Sequence, residues 1–144
     1  YTDAAPYGTF SYHVTAVAAA ANPRIESDPS EGASATFKDL LPPPQPASVT
    51  ALIEPKAIRL IWDAVDAPDL AGYKVYRTEG MGHGADIKDI GTIPLFTIPA
   101  NTTRAIDPKA DPGIAYRYSV SAVDKNGNES SRATTEWVVV PKTP

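Results

Sequence analysis

The 144-residue sequence contains no cysteine, one methionine and two histidines. Without cysteine there is no disulfide, no thiolate metal site, no c-type haem attachment and no cysteine nucleophile. His13 and His83 alone give histidine-based metal or triad chemistry little to build on. No apolar run approaches the ~20 residues of a membrane helix; the stretch 14–21 is far too short. Lys and Arg number 13, unclustered, and the net charge is −4, so the electrostatic footprint of a nucleic-acid binder is missing. What the sequence has in excess is proline, 15 residues, roughly twice ordinary usage. Proline breaks helices and suits turns and extended linkers. With 42% apolar residues, the chain has the material for a packed core in one domain or two small ones.

The order of motifs repeats once. Tyr12-x-Val14-Thr15-Ala16-Val17 matches Tyr118-x-Val120-Ser121-Ala122-Val123 at an offset of 106 residues, and Phe10 corresponds to Tyr116. Glu26-Ser27 matches Glu129-Ser130, and 33–37 takes the place of 133–137. A period near 100 residues means tandem domains, not a short-repeat solenoid. The sequence reads as 1–41, the C-terminal part of one domain; 42–46, a proline-rich linker of polyproline II character; 47–141, a complete domain; and 142–144, a tail. No leader of charged-then-apolar type opens the chain. Its start at Tyr1 suits a segment removed or, as the repeat favours, a longer product.

After the linker, short apolar or alternating runs separated by turn residues predict strands at 47–52, 57–62, 72–78, 90–96, 103–106, 115–123 and 134–140. Ile58, Leu60 and Trp62 fall on one face of the second. In the third, Tyr73, Val75 and Arg77 share one face and Lys74 and Tyr76 the other, and either face could turn inward. In the first repeat, strands are expected at 8–18 and 33–37. Seven strands with no helical period indicate an all-β antiparallel sandwich.

These residues resemble the fibronectin type III domain in its bacterial form. Pro46-x-x-Val49 opens the first strand, Leu60-x-Trp62 lies in the second and Tyr73-x-Val75-Tyr76-Arg77 in the third. The end motif runs from Tyr116-x-Tyr118-x-Val120 through Asp124-x-x-Gly127-Asn128-x-Ser130. The resemblance implies the immunoglobulin-like form of the sandwich, with Trp62 between the sheets and Tyr116 making the tyrosine corner, its hydroxyl bonding the upstream backbone. The Pro-rich linker followed by Tyr-x-Val-Tyr-Arg is also similar to bacterial envelope lipoproteins carrying tandem modules of this family. The lipid-bearing cysteine of such a protein would lie upstream of these residues.

Motifs that would carry chemistry resolve into turns. Gly80-Met81-Gly82-His83-Gly84 lacks phosphate-loop spacing and precedes no helix. Asp124–Glu129 lacks the twelve-residue span of an EF-hand, and Asn126-Gly127 suits a hairpin turn. The serines sit on strands without a nucleophile elbow, and the acids between Asp63 and Asp111 lie mostly in turns. No catalytic residue, cofactor or metal is expected. The expected function is a non-catalytic spacer and docking module of a bacterial envelope or extracellular protein. Tyr76, if it faces outward, Met81 and His83 are the candidate protein contacts. Two other readings are an accessory subunit of a membrane-associated complex held by an upstream lipid anchor, and a spacer module of a secreted polysaccharide-degrading enzyme. A protein partner is expected, and upstream strands or another chain would complete the first domain.

Overall fold

The computed structural model describes residues 7–18, 23–82 and 84–142. The chain divides into two compact units, 1–40 and 41–144. The first contains the antiparallel pair β1 (Gly8–Tyr12) and β2 (Ala33–Phe37). The second contains β3 (Val49–Glu54), β4 (Ala57–Trp62), β5 (Leu70–Met81), β6 (Lys88–Pro99), β7 (Arg104–Asp107), β8 (Ala115–Asp124), β9 (Ala133–Thr134) and β10 (Val138–Val139).

In the second unit, β3, β4 and β7 form one sheet in that order, and β10, β8, β5 and β6 form the other, with β9 also on β8. The alternation read from the sequence fixes which side chains meet. Ile58, Leu60 and Trp62 from the first sheet pack with Tyr73, Val75, Tyr116, Tyr118 and Val120 from the second. Trp62 meets Tyr73 edge-on, with ring centroids 5.4 Å apart. The open choice on β5 is decided for Tyr73, Val75 and Arg77 as the inner row; both Tyr73 and Val75 are fully buried. The result is the antiparallel β-sandwich that the periodicity predicts.

Tyr116 behaves as expected of the corner residue. Its ring is buried and its hydroxyl accepts a hydrogen bond from the backbone N–H of Asp111 at 2.9 Å. Removing that hydroxyl leaves the N–H of Asp111 without its partner. Tyr116→Phe is therefore expected to lower stability by about 1 kcal/mol, read as a shift in the urea midpoint. An unchanged midpoint would show that the corner is held by packing alone.

Two expected strands are shorter than the sequence suggests, for one physical reason. The run 134–140 is broken between β9 and β10, because the Tyr118 N–H donates to the Thr135 hydroxyl, not to a ladder carbonyl. The run 8–18 ends its regular pairing at Tyr12. Beyond it, the Val14 and Ala16 N–H groups donate to the hydroxyls of Ser30 and Ser27. Side-chain oxygens that replace backbone acceptors keep each N–H satisfied while ending the ladder. The proline segment also differs from a free spacer. Pro46 is fully buried, and the Gln45 side-chain oxygen accepts a bond from the Ser131 hydroxyl at 2.7 Å. The end of the linker is thus part of the second unit.

Candidate functional site

The longest element pair is the β5–β6 hairpin. Among the described residues β6 bonds only to β5 and forms the edge of its sheet. Extra residues at Leu95 and Ile90 shift its register against β5, and such bulges increase the local twist of an edge. Pro94 and Pro99 lie in β6 and present no N–H to a further strand. Towards the tip the hairpin loses its cover. Met81 is 68% exposed, and Ile90 and Ile93 are also exposed. Beside this tip the backbone of Gly80 is close-packed. A Cβ there would lie 2.5 Å from Ile87 and 2.6 Å from the Trp137 ring, so only glycine fits without movement. The guanidinium of Arg117 lies 4.7 Å from the Trp137 ring centroid and 3.6 Å from the Asp89 carboxylate. The tip is therefore anchored at its base and open at its end.

The outer face of β5 carries a polar cluster centred on Glu129. Its carboxylate accepts from Lys74 Nζ at 2.8 Å, the Tyr76 hydroxyl at 2.6 Å and the Ser121 hydroxyl at 2.6 Å. Arg132 covers Tyr76, its guanidinium 3.5 Å from the ring centroid, a cation–π contact. Burial by itself would push the Glu129 carboxyl up; the bonds from Lys74, Ser121 and Tyr76 outweigh it and hold the pKa at about 2. A carboxyl whose folded pKa is depressed stabilises the fold above its ordinary value of 4.5. That contribution is lost as the pH falls from about 4.5 towards 2. Acid titration of the wild-type chain should show this loss, and Glu129→Gln should flatten it; parallel curves would sink the assignment.

A second cluster lies between the sheets. The buried Asp107 carboxylate accepts from Arg77 at 3.0 Å, the Tyr118 hydroxyl at 2.9 Å and the Lys109 N–H at 3.0 Å. Burial works against the Arg77 charge, but the Asp107 bond and its negative charge raise the guanidinium pKa nonetheless. Burial and the bond to Asp107 push the Tyr118 phenol upward. A third carboxylate, Asp124, organises the Asn-Gly turn. It accepts from the N–H groups of Asn126 and Asn128 and from the Asn128 side chain, each at 2.8 Å. Gly127 takes φ +88°, a left-handed conformation that glycine adopts without strain. Each of these carboxylates is committed to donors of its own chain.

The three sequence-derived contact residues have different fates. Tyr76 does lie on the outer face, but it is only 8% exposed beneath Arg132; its ring is therefore not an open contact surface. Met81 stands free at the hairpin tip. His83 lies outside the described residues. The Glu129 cluster escaped the sequence reading because Lys74, Tyr76, Ser121 and Glu129 come from β5, β8 and the turn after it. Its one local signal was the period-two placement of Lys74 and Tyr76 on the same face of β5.

No protein-family model matches the chain, and no curated protein matches its sequence. Solved structures are similar in fold. The third fibronectin III domain of the human KIAA0343 protein is 20% identical, with a TM-score of 0.58, over 80% of this chain and 95% of that domain. The β-1,2-glucanase of Parabacteroides distasonis is 19% identical, with a TM-score of 0.53, over 84% of this chain. The spore cortex lytic enzyme SleM of Clostridium perfringens is 23% identical, with a TM-score of 0.51, over 69% of this chain. The match spans 17% of the glucanase and 29% of the lytic enzyme. The fold of this chain is thus fibronectin type III-like.

Proposed function

We propose that this fibronectin type III-like chain is a non-catalytic spacer and docking module of a bacterial envelope or extracellular protein, and that the β5–β6 hairpin tip is its contact surface. The observation that carries the reading is the contrast between committed carboxylates and an uncommitted tip. Asp107, Asp124 and Glu129 each accept three or more hydrogen bonds from their own chain. General acid–base work calls for a carboxyl free to exchange its proton with a substrate. Met81, Ile90 and Ile93, by contrast, leave apolar surface in water on a rigidly based hairpin. Exposed apolar groups grouped on one projection suit a protein partner.

The test is fractionation of the source organism followed by co-isolation. The expected result is recovery from the envelope or medium with one stoichiometric protein partner. Met81→Asp combined with Ile93→Asp should abolish that association and leave the unfolding midpoint unchanged. Recovery of the protein in the cytoplasm, or association that survives both substitutions, would overturn the reading. The accessory-subunit reading differs in predicting a lipid anchor on the same polypeptide, and the spacer-of-an-enzyme reading in predicting a glycan-cleaving domain there. Intact mass and glycan hydrolysis by the native product distinguish these.

A further inference from the structure

The first unit reproduces one hairpin of the second almost bond for bond. Ser27 donates its N–H to the Ala16 carbonyl at 2.8 Å and accepts the Ala16 N–H at its hydroxyl at 2.8 Å. Ser130 does the same with Ala122, at 2.9 Å for both. Each serine hydroxyl then donates to the carbonyl of the next residue, Asp28 or Ser131. Val17 bridges Glu26 as Val123 bridges Glu129. Thr15 donates to the Glu26 carboxylate at 2.5 Å where Ser121 donates to Glu129 at 2.6 Å. These matched contacts, with the same partners in both, set the same pairing on the two sides of the turn, although the first unit has three more residues between them.

What differs is the cover. The β1–β2 register places Phe10, Tyr12, Ala33, Ala35 and Phe37 on one face, and Thr9, Ser11, Ser34 and Thr36 on the other. The hydroxyls pair across the polar face, Thr9 with Thr36 and Ser11 with Ser34. The matching side chains of the second unit, Tyr116, Tyr118 and Val120, are almost fully buried against β4 and β7. In the first unit none of the described residues is fully buried: Phe10 and Tyr12 are half-buried, and Val14 is 72% exposed. A two-stranded ribbon with one apolar face is marginal in water, and a unit of ~40 residues without disulfide or metal rarely holds itself together.

We infer that the first unit is the closing hairpin of a second sandwich, and that its apolar face is covered by strands of the same polypeptide lying N-terminal to it. The second unit supplies the reason for that occupant. There the covering strands β3, β4 and β7 and the pairing strand β5 all precede β8 in the chain, and the matched hairpin inherits that order. In that order the strand beside β1, on the side away from β2, runs antiparallel to it as β5 does to β8. A second copy of the hairpin would offer only two strands, where the equivalent face in the second unit is covered by a three-stranded sheet. The inference stands on the repeat geometry and is independent of the function proposed above.

Hydrogen exchange on two samples tests it: the 144-residue chain and the product isolated from its source. In the 144-residue chain, the β1 and β2 peptides should exchange at the unprotected rate while the β8 peptides stay protected. In the native product, both hairpins should be protected, and its intact mass should exceed 15.3 kDa by the covering strands. Phe10→Asp should remove protection from the first hairpin alone. A native mass of 15.3 kDa overturns the inference. So does protection of β1 in the 144-residue chain, whether as a monomer or through a dimer that Phe10→Asp dissociates.

Discussion

Trp62→Ala is expected to destabilise the second unit by about 3–5 kcal/mol. The indole is 3% exposed and lies edge-on to Tyr73, a residue that is itself fully buried. Tyr73 in turn accepts the Val65 N–H at its hydroxyl at 2.9 Å. Truncation therefore opens a cavity between the sheets and frees the ring that fixes the approach to β5. The cost scales with the cavity left after relaxation, and a sandwich held by two ladders relaxes little. Urea unfolding of both proteins checks this, and a loss below about 1 kcal/mol would mean that the indole is not a core group. Trp62→Phe should cost less than Trp62→Ala. It keeps an aromatic partner for Tyr73, leaves a smaller cavity than alanine, and removes a buried N–H that has no acceptor among the described residues.

Asp107→Ala is expected to cost about 3–5 kcal/mol by a different route. The substitution removes little volume but strands the Arg77 charge and the Tyr118 hydroxyl, both of which bond to Asp107 Oδ2. Arg77 keeps a bond to Glu79 at 3.0 Å, yet that carboxylate is more exposed and compensates only in part. Replacing both charged partners, Arg77→Met with Asp107→Leu, should recover much of the loss, because no buried charge then stands alone. Equilibrium unfolding of the two single variants and the double variant gives the coupling directly. Additive losses would show that Asp107 acts through the Lys109 N–H and the turn, not through Arg77.

The alternation in β4, with Ile58, Leu60 and Trp62 two residues apart, made the inner row legible from sequence. The corner hydroxyl of Tyr116 was legible by another route, as what the resemblance to the fibronectin type III domain implies. The same rule misled at the strand ends. In 8–18 and 134–140 the apolar pattern continues past the point where Ser30, Ser27 and Thr135 take over as acceptors. A hydroxyl competing with a carbonyl leaves no mark on hydrophobic periodicity. Tyr76 shows the limit for surface chemistry: its placement on the outer face follows from period two, whereas its burial depends on Arg132, 56 positions away in sequence.

By itself, then, the sequence determined the all-β class, the inner row of β4 and the turn positions, because these rest on residue-to-residue spacing along one chain, whereas the inner face of β5 was settled only by packing. The repeat of Tyr12–Val17 in Tyr118–Val123 was equally a property of the string. Only the tertiary structure decided which polar groups meet. Asp107 with Arg77 and Tyr118, and Glu129 with Lys74, Tyr76 and Ser121, are brought together by strand order and sheet packing. The physical reason is that hydrophobic burial is non-directional and is satisfied by any residue of the right size on the right face. A hydrogen bond instead requires one particular donor within about 3 Å of one particular acceptor, a condition set by the position of strands distant in sequence.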